Sequence, residues 1–578
     1  MTASSASSPA PSGAAHSTTT VGIGRRSLLK AGALAGAAVG SGALAGHSAL
    51  AGAAAPGPGG GGSAAAAVFQ HGVASGDPMS DRVILWTRVT PTPEATPGSG
   101  LGGPVVVAWE VSTDPGFSTL ARSGSETTTA DRDHTVKLDC TGLSPDTWYH
   151  YRFRVGDVVS PVGRTRTAPR DDAMPGRARF ALVSCSNWEA GFFAGYRHLA
   201  DRDDLDAVMH VGDYTYEYGI GEYGGKGNIV HRPHNPPHDT VTLADYRTRL
   251  AQYRTDPDLQ RLHAHVPWYC TWDDHETSND NWLHGAENHD PLTQGEWAAR
   301  RDNSHRAYFE WMPIRVETRD GAGSVYRRLR FGQLAEISML DLRTYRDEPP
   351  TMFDGRAIDD PNRVKTGAAQ FDWLADNFRT STARWNVIGN SVMIAPVLVP
   401  PLDPQVGQAL QDVIGLPQDG LPYNSDQWDG YAAERRRLYR VMQETGKNNF
   451  VFLTGDIHTS WACDLPAAPA DYPGAGSVGV EFVTPSITSK NIDDMLNLPE
   501  GNGVTHALQE ALRAVNHHVR WVDLDRHGYT IVEFTEGFAH ADWFALNAKE
   551  DPNSGVYHMA SWRVPHGTNF VQPAGMLP

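Results

Sequence analysis

Four apolar runs in this chain of 578 residues each end in a cluster of ionisable side chains, and that repetition limits the fold more than any other feature. Residues 180–183 run into Ser184-Cys185-Ser186, and residues 207–211 run into Gly212-Asp213-Tyr214-Thr215-Tyr216. Residues 268–272 run into Asp273-Asp274-His275-Glu276, and residues 450–453 run into Thr454-Gly455-Asp456-Ile457-His458. Continuous apolar runs of this length, separated by longer segments of helical spacing, predict strands buried on both faces of a layered α/β fold. Chemistry in such folds collects beyond the carboxyl ends of the strands, where these clusters fall. Further strands are predicted at 335–342 and 385–388.

The stretch 68–170 reads differently. Short β-rich runs such as Arg82-Val83-Ile84-Leu85-Trp86-Thr87 alternate with Gly, Pro and Asp turns, which predicts a small antiparallel β-sandwich of fibronectin or immunoglobulin type. A linker over 164–176 then leads to a larger domain expected over 177–560, followed by a tail over 561–578. Ahead of the sandwich, Gly24-Arg25-Arg26-Ser27-Leu28-Leu29-Lys30 runs into an Ala/Gly-rich apolar stretch. That is the pattern of a twin-arginine export signal, expected over 1–51 with Ala49-Leu50-Ala51 as a small-residue cleavage site. Residues 52–67 form a Gly/Ala/Pro linker. The glycine-broken apolar part is a poor permanent membrane helix, and no later stretch approaches a span. The chain is therefore expected outside the cell or at its wall, with the twin-arginine machinery as its export partner, no stable membrane anchor and a monomeric state.

Charge narrows the partners. Asp and Glu number 67 against 49 Lys and Arg, a formal charge of −18, so a broad basic footprint for nucleic acid is absent. An anionic substrate would need local cations to draw it in. The strand-end clusters offer Cys185, Asp213, Tyr216, Asp274, His275, Asp456 and His458, all competent for metals or protons. Asp456 and His458 stand two apart in a segment read as extended, which places them on one face, sharing one metal or bracketing two. A thiolate from Cys185 and a phenolate from Tyr216 favour a hard trivalent ion such as ferric iron, whereas carboxylates and amide oxygens suit calcium or magnesium.

The residues Ser184-Cys185-Ser186, 212–216, 272–276, Asp341-Leu342-Arg343 and Gly455-Asp456-Ile457-His458 together resemble the signature set of PhoD-like phosphatases. The resemblance covers about 68–544. It implies a layered αββα metallophosphoesterase core related to purple acid phosphatases, a ferric ion and calcium, and hydrolysis of phosphate esters by metal-activated water attacking phosphorus in line. Position by position it makes Cys185, Asp213, Tyr216 and His458 iron ligands with Asp213 bridging. Asp456 and a residue of the 274–279 stretch, Asp274 or Asn279, would hold calcium. His275, with Asp274 beside it, stands where related enzymes keep a histidine on the phosphate or leaving group, and Arg343 or Arg301 is a candidate phosphate clamp. Secreted relatives resembling phospholipase D leave a diesterase as the alternative. A glycosidase using Asp273, Asp274 and Glu276, or a surface-binding protein, is a remoter reading. Cys140 and Cys270 are expected as small buried residues, Cys463 lies five residues after His458, where a pairing with Cys270 is left open, and His231, His234, His238, His284, His289, His517 and His518 are expected as solvated loop residues. Loops over 219–240 and 400–427 are expected to select substrate.

Overall fold

The computed structural model describes residues 67–319 and 322–578. The twin-arginine motif, the apolar stretch behind it and the linker as far as residue 66 lie outside the described residues.

The strand Ala178–Val183 explains the layering. Phe180 and Leu182 face a core between two sheets, while Ala181 and Val183 face a second core under helices. This is the period-two alternation of an extended chain with both faces buried. The strand Phe450–Thr454 does the same in the other sheet, with Val451 and Leu453 inward and Phe450 and Phe452 outward. The result is the expected αββα sandwich. In the first sheet Ala178–Val183, Ala207–Val211 and Trp268–Thr271 run parallel. In the second, Ala335–Met339, Trp385–Asn390, Phe450–Thr454 and Ser477–Val483 run parallel. Helices Ala194–Ala200, Leu243–Tyr253, Pro257–His265 and Trp297–Trp311 cover the first sheet, and Ala368–Thr380, Ala432–Glu444 and Gly503–Val515 cover the second. Two hydroxyls stitch the sheets together: Thr271 Oγ1 donates to the Leu340 carbonyl at 2.6 Å and Thr484 Oγ1 to that of Leu182 at 3.1 Å.

The amino-terminal β-module is built into this frame. Its strands Val73–Gly76, Arg82–Arg88 and Thr135–Thr141 extend the first sheet to ten strands, with Gly76 pairing Trp268 in parallel. Val105–Ser112, Leu120–Thr128, Trp148–Val155 and Gly163–Arg166 form a facing sheet over a core of Val83, Leu85, Val107, Val111, Tyr149 and Phe153. The stretch 561–578, expected as a tail, carries the end of strand Val556–Pro565 and the strand Gln572–Pro573, the opposite edge of the same ten strands.

Two expectations need correction. The 400–427 loop contains a helix, Pro404–Ile414, whose first N–H groups at Gln405 and Val406 are capped by Asp403 and whose end is the left-handed Gly415. His234 and His518 are buried, not solvated: His234 Nδ1 lies 3.1 Å from the Tyr218 carbonyl and His518 Nε2 lies 2.6 Å from that of Pro396. All four cysteines are free and buried. Among the described residues no helix is long and apolar enough to cross a membrane.

Candidate metal centre

The four strand-end clusters converge. Cys185, Asp213 and His458 bring one ligand atom each within 4.8 Å of one another, as do Asp213, Asp274 and His275, and Asp273, Asp274 and Asp456. Asp213 belongs to the first and second groups and Asp274 to the second and third, so the donors form one continuous chain. Tyr216 joins at its start, donating from Oη to Asp213 Oδ2 at 3.0 Å with His458 Nε2 at 3.3 Å.

Local backbone explains how donors from separate strands face each other. Cys185, Asp213, Asp456 and His458 all have positive φ, between 56° and 64°. Non-glycine residues occupy that left-handed region at a cost, and such strain concentrates at functional sites. It also corrects the reading of 456–458 as extended. The turn is tight, Ile457 N–H bonding the Gly455 carbonyl at 2.8 Å, and it sends Asp456 and His458 to different donor groups. Two glycines let the strand ends close in. A Cβ on Gly212, with φ +113°, would lie 2.4 Å from the Asp273 Cβ, and one on Gly455 would lie 2.6 Å from the Ser184 side chain.

Buried carboxylates that the sequence reading did not place hold the arrangement. Glu276 accepts the backbone N–H of Asp213, Tyr214 and Asp273 at 3.1, 2.6 and 2.8 Å, tying two strand ends together. Burial pushes its pKa up to about 7. Glu217 accepts His275 Nδ1–H at 2.8 Å and the Asn279 N–H at 2.7 Å. Burial opposes a charge on His275, yet the Asp274, Glu217 and Asp213 carboxylates prevail and raise its pKa well above the ordinary imidazole value. Burial raises Asp213 well above the carboxylate range, and burial followed by Asp273 brings Asp456 to about 7. Glu217 follows Tyr216 and Glu276 closes the 273–276 cluster in the sequence, but nothing there says which carboxylates serve the backbone.

Arg343 is inside the centre and Arg301 is not. Arg343 donates to both oxygens of Asp273 at 2.6 and 2.8 Å, to Asp426 at 2.8 Å and to Asp456 at 3.1 Å. It is therefore committed to carboxylates instead of standing open to phosphate. Arg301 pairs with its neighbour Asp302 at 2.9 Å on the helix Trp297–Trp311. Asn279 donates from Nδ2 to Glu287 at 2.9 Å, which leaves its amide oxygen as the atom available to a cation. With Glu276 occupied by backbone N–H groups and Asp273 by Arg343, only Asp274 is left of the three carboxyls that the glycosidase reading would use, and that reading needs two.

Donors of this kind, at the carboxyl ends of strands in an αββα sandwich, form the candidate metal centre that a phosphoric ester hydrolase of the metallophosphoesterase type requires. The model of the PhoD-like phosphatase family matches residues 180–543, and that of the family's N-terminal domain matches residues 53–169. Alkaline phosphatase D of Bacillus subtilis (strain 168) is 36% identical over 505 residues, 86% of this chain and 80% of the relative. A solved structure of PhoD superposes with a TM-score of 0.77 at 32% identity, covering 89% of this chain and 93% of that one. The chain belongs to the PhoD-like phosphatase family.

Proposed function

We propose that the protein is an exported phosphatase that hydrolyses phosphate esters at a paired metal centre. Cys185, Asp213, Tyr216 and His458 would hold ferric iron, and Asp274, Asp456 and Asn279 would hold calcium. The observation that carries this reading is Asp213 shared by two adjoining donor groups.

The donor chemistry fits cations. Asp213, Asp273, Asp274 and Asp456 are drawn together with Arg343 as the guanidinium among them, and Asp274 Oδ1 is buried without a hydrogen-bond partner, 3.6 Å from that guanidinium, which it shares with Asp273, Asp426 and Asp456. Uncompensated carboxylates in such a place are costly. Ions held there would supply acidified water and would neutralise charge on phosphoryl oxygens. The chain's own residues do the rest. Glu217 holds Nδ1 of His275, leaving Nε2 to donate a proton to the departing oxygen. The ring of His275 is stacked on Tyr216 at 4.3 Å between centroids, which restricts its swing. Arg343 fixes Asp273 and Asp456, and Glu276 fixes the turn that presents Asp213.

Replacing Asp213 with Asn is expected to lower turnover of nitrophenyl phosphate by at least about a thousandfold, the scale of a lost transition-state contact, and to reduce bound metal. Unchanged turnover would refute the shared-ligand role. Export rests on Arg25-Arg26 ahead of the apolar stretch. A Lys pair in their place should retain the protein in the cytoplasm, and normal secretion of that variant would contradict the assignment.

A further inference from the structure

The centre is rich in carboxylates, and its neighbouring cations are already engaged. Arg343 is held by Asp273, Asp426 and Asp456, Arg346 by Asp426, Lys226 by Asp493 at 3.0 Å, and Lys549 by Asp494. Lys490 differs. None of the described residues hydrogen-bonds or ion-pairs with its ammonium, which lies over the ring of Tyr223, 4.4 Å from the centroid. That contact is a modest attraction that a full negative charge outcompetes.

Both partners are anchored to the strand ends that carry the donors. The Lys490 carbonyl lies 2.7 Å from His458 Nδ1, and the Tyr223 carbonyl accepts Asn187 Nδ2–H at 2.7 Å. The Tyr223 ring stacks on Tyr216 at 5.8 Å and on His275 at 6.1 Å. The Lys226–Asp493 pair staples the segment after Tyr223 to the segment after Lys490, so the two form one wall. Cys185, Asp213 and Tyr216 are buried, whereas Tyr218, Tyr223 and Lys490 are only partly so, which puts them on the entrance side. An ester whose alcohol departs toward His275 would set that portion beside the Tyr223 ring, which stacks on His275 and carries the Lys490 ammonium on it.

We propose that the Lys490 ammonium, seated over Tyr223, is a specificity-determining group that selects phosphate esters whose alcohol portion carries a second anionic group. The inference rests on the phosphoesterase reading above and adds the substrate class. An alcohol with a carboxylate or second phosphate reaches the ammonium while the ester phosphate is held at the centre. A neutral alcohol leaves Lys490 on Tyr223.

The test compares phenyl phosphate with its meta- and para-carboxylated analogues in the full chain, for wild type, Lys490→Met and Lys490→Arg. In wild type the better carboxylated ester is expected to exceed phenyl phosphate in kcat/KM. In Lys490→Met that ratio should fall about tenfold, the scale of one partly shielded ion pair, with the change in KM, and Lys490→Arg should restore it. Because the readout is a ratio within one protein, partial misfolding cancels. A ratio equal in wild type and Lys490→Met overturns the proposal, whereas wild type that hydrolyses none of the esters overturns the phosphoesterase reading itself.

Discussion

At the scale of single residues, the centre depends on groups that never touch substrate. Glu276 satisfies three buried N–H groups at once, so Glu276→Ala strands them at about 1–3 kcal/mol each. We expect a loss of about 3–5 kcal/mol in denaturant unfolding, together with lower turnover because the Asp213 turn loosens. An unfolding midpoint equal to wild type would show that water replaces the carboxylate. Gly212→Ala adds a Cβ 2.4 Å from that of Asp273 at a φ of +113°, and should abolish activity even where folded protein is recovered. The donors themselves were legible in the sequence, because Cys185, Asp213, Tyr216, Asp274, His275, Asp456 and His458 directly follow runs apolar enough to be buried strands. Their supports were not. Glu217 and Glu276 carry no periodic or compositional signal for the bonds they make, and the left-handed backbone at Cys185 contradicts what that residue type prefers.

At the scale of elements, strands were easier to read than their surroundings. Burial on both faces writes itself into the sequence as an unbroken apolar run, and Ala207–Val211 matches its run residue for residue. The helix Pro404–Ile414 is hidden in the sequence although Asp403 before it and Gly415 after it are capping residues, because the surrounding stretch 400–427, rich in Gly, Pro and charged or amide residues, reads as a loop. The helix Leu243–Tyr253 has a full capping box, Thr242 accepting the Asp245 N–H at 3.2 Å and Asp245 accepting that of Thr242 at 2.8 Å. From this helix Arg249 reaches the carbonyls of Tyr216 and Pro236. Thr242→Ala should cost about 1 kcal/mol of stability and leave kcat within about twofold, since the helix is held mainly by its buried face. A large drop in kcat at unchanged stability would mean that the helix end moves Tyr216.

At the scale of the whole molecule, the unexpected feature is how far the amino-terminal module is merged with the catalytic frame. Sandwich composition predicts a separate bead, and the pairing of Gly76 with Trp268 depends on partners almost two hundred residues apart, which no local pattern records. The junction is secured by Asp77, which takes both Nε and Nη2 of the buried Arg327 at 2.6 Å and the Arg315 N–H at 2.6 Å. Asp77→Ala leaves that guanidinium uncompensated and should cost about 3–5 kcal/mol, with the module and the core unfolding in one transition. Glu481, between the second sheet and its helices, bears on pH. Burial raises its pKa to about 7, despite bonds from Thr454, Ile394 and Ala395. A folded value above the unfolded one means that the fold binds the extra proton. Its contribution is complete below about pH 4.5, the unfolded value, and is lost as pH rises through about 7. Wild type should therefore lose stability relative to Glu481→Gln across that window, by up to about 3 kcal/mol, and parallel pH profiles would contradict it.

The most direct test is elemental analysis of the purified protein read with its visible spectrum, for wild type and Tyr216→Phe. About one iron per chain with calcium beside it is expected, with an absorption band from phenolate or thiolate on ferric iron that weakens or shifts in the variant. A colourless, iron-free protein with full activity would contradict it.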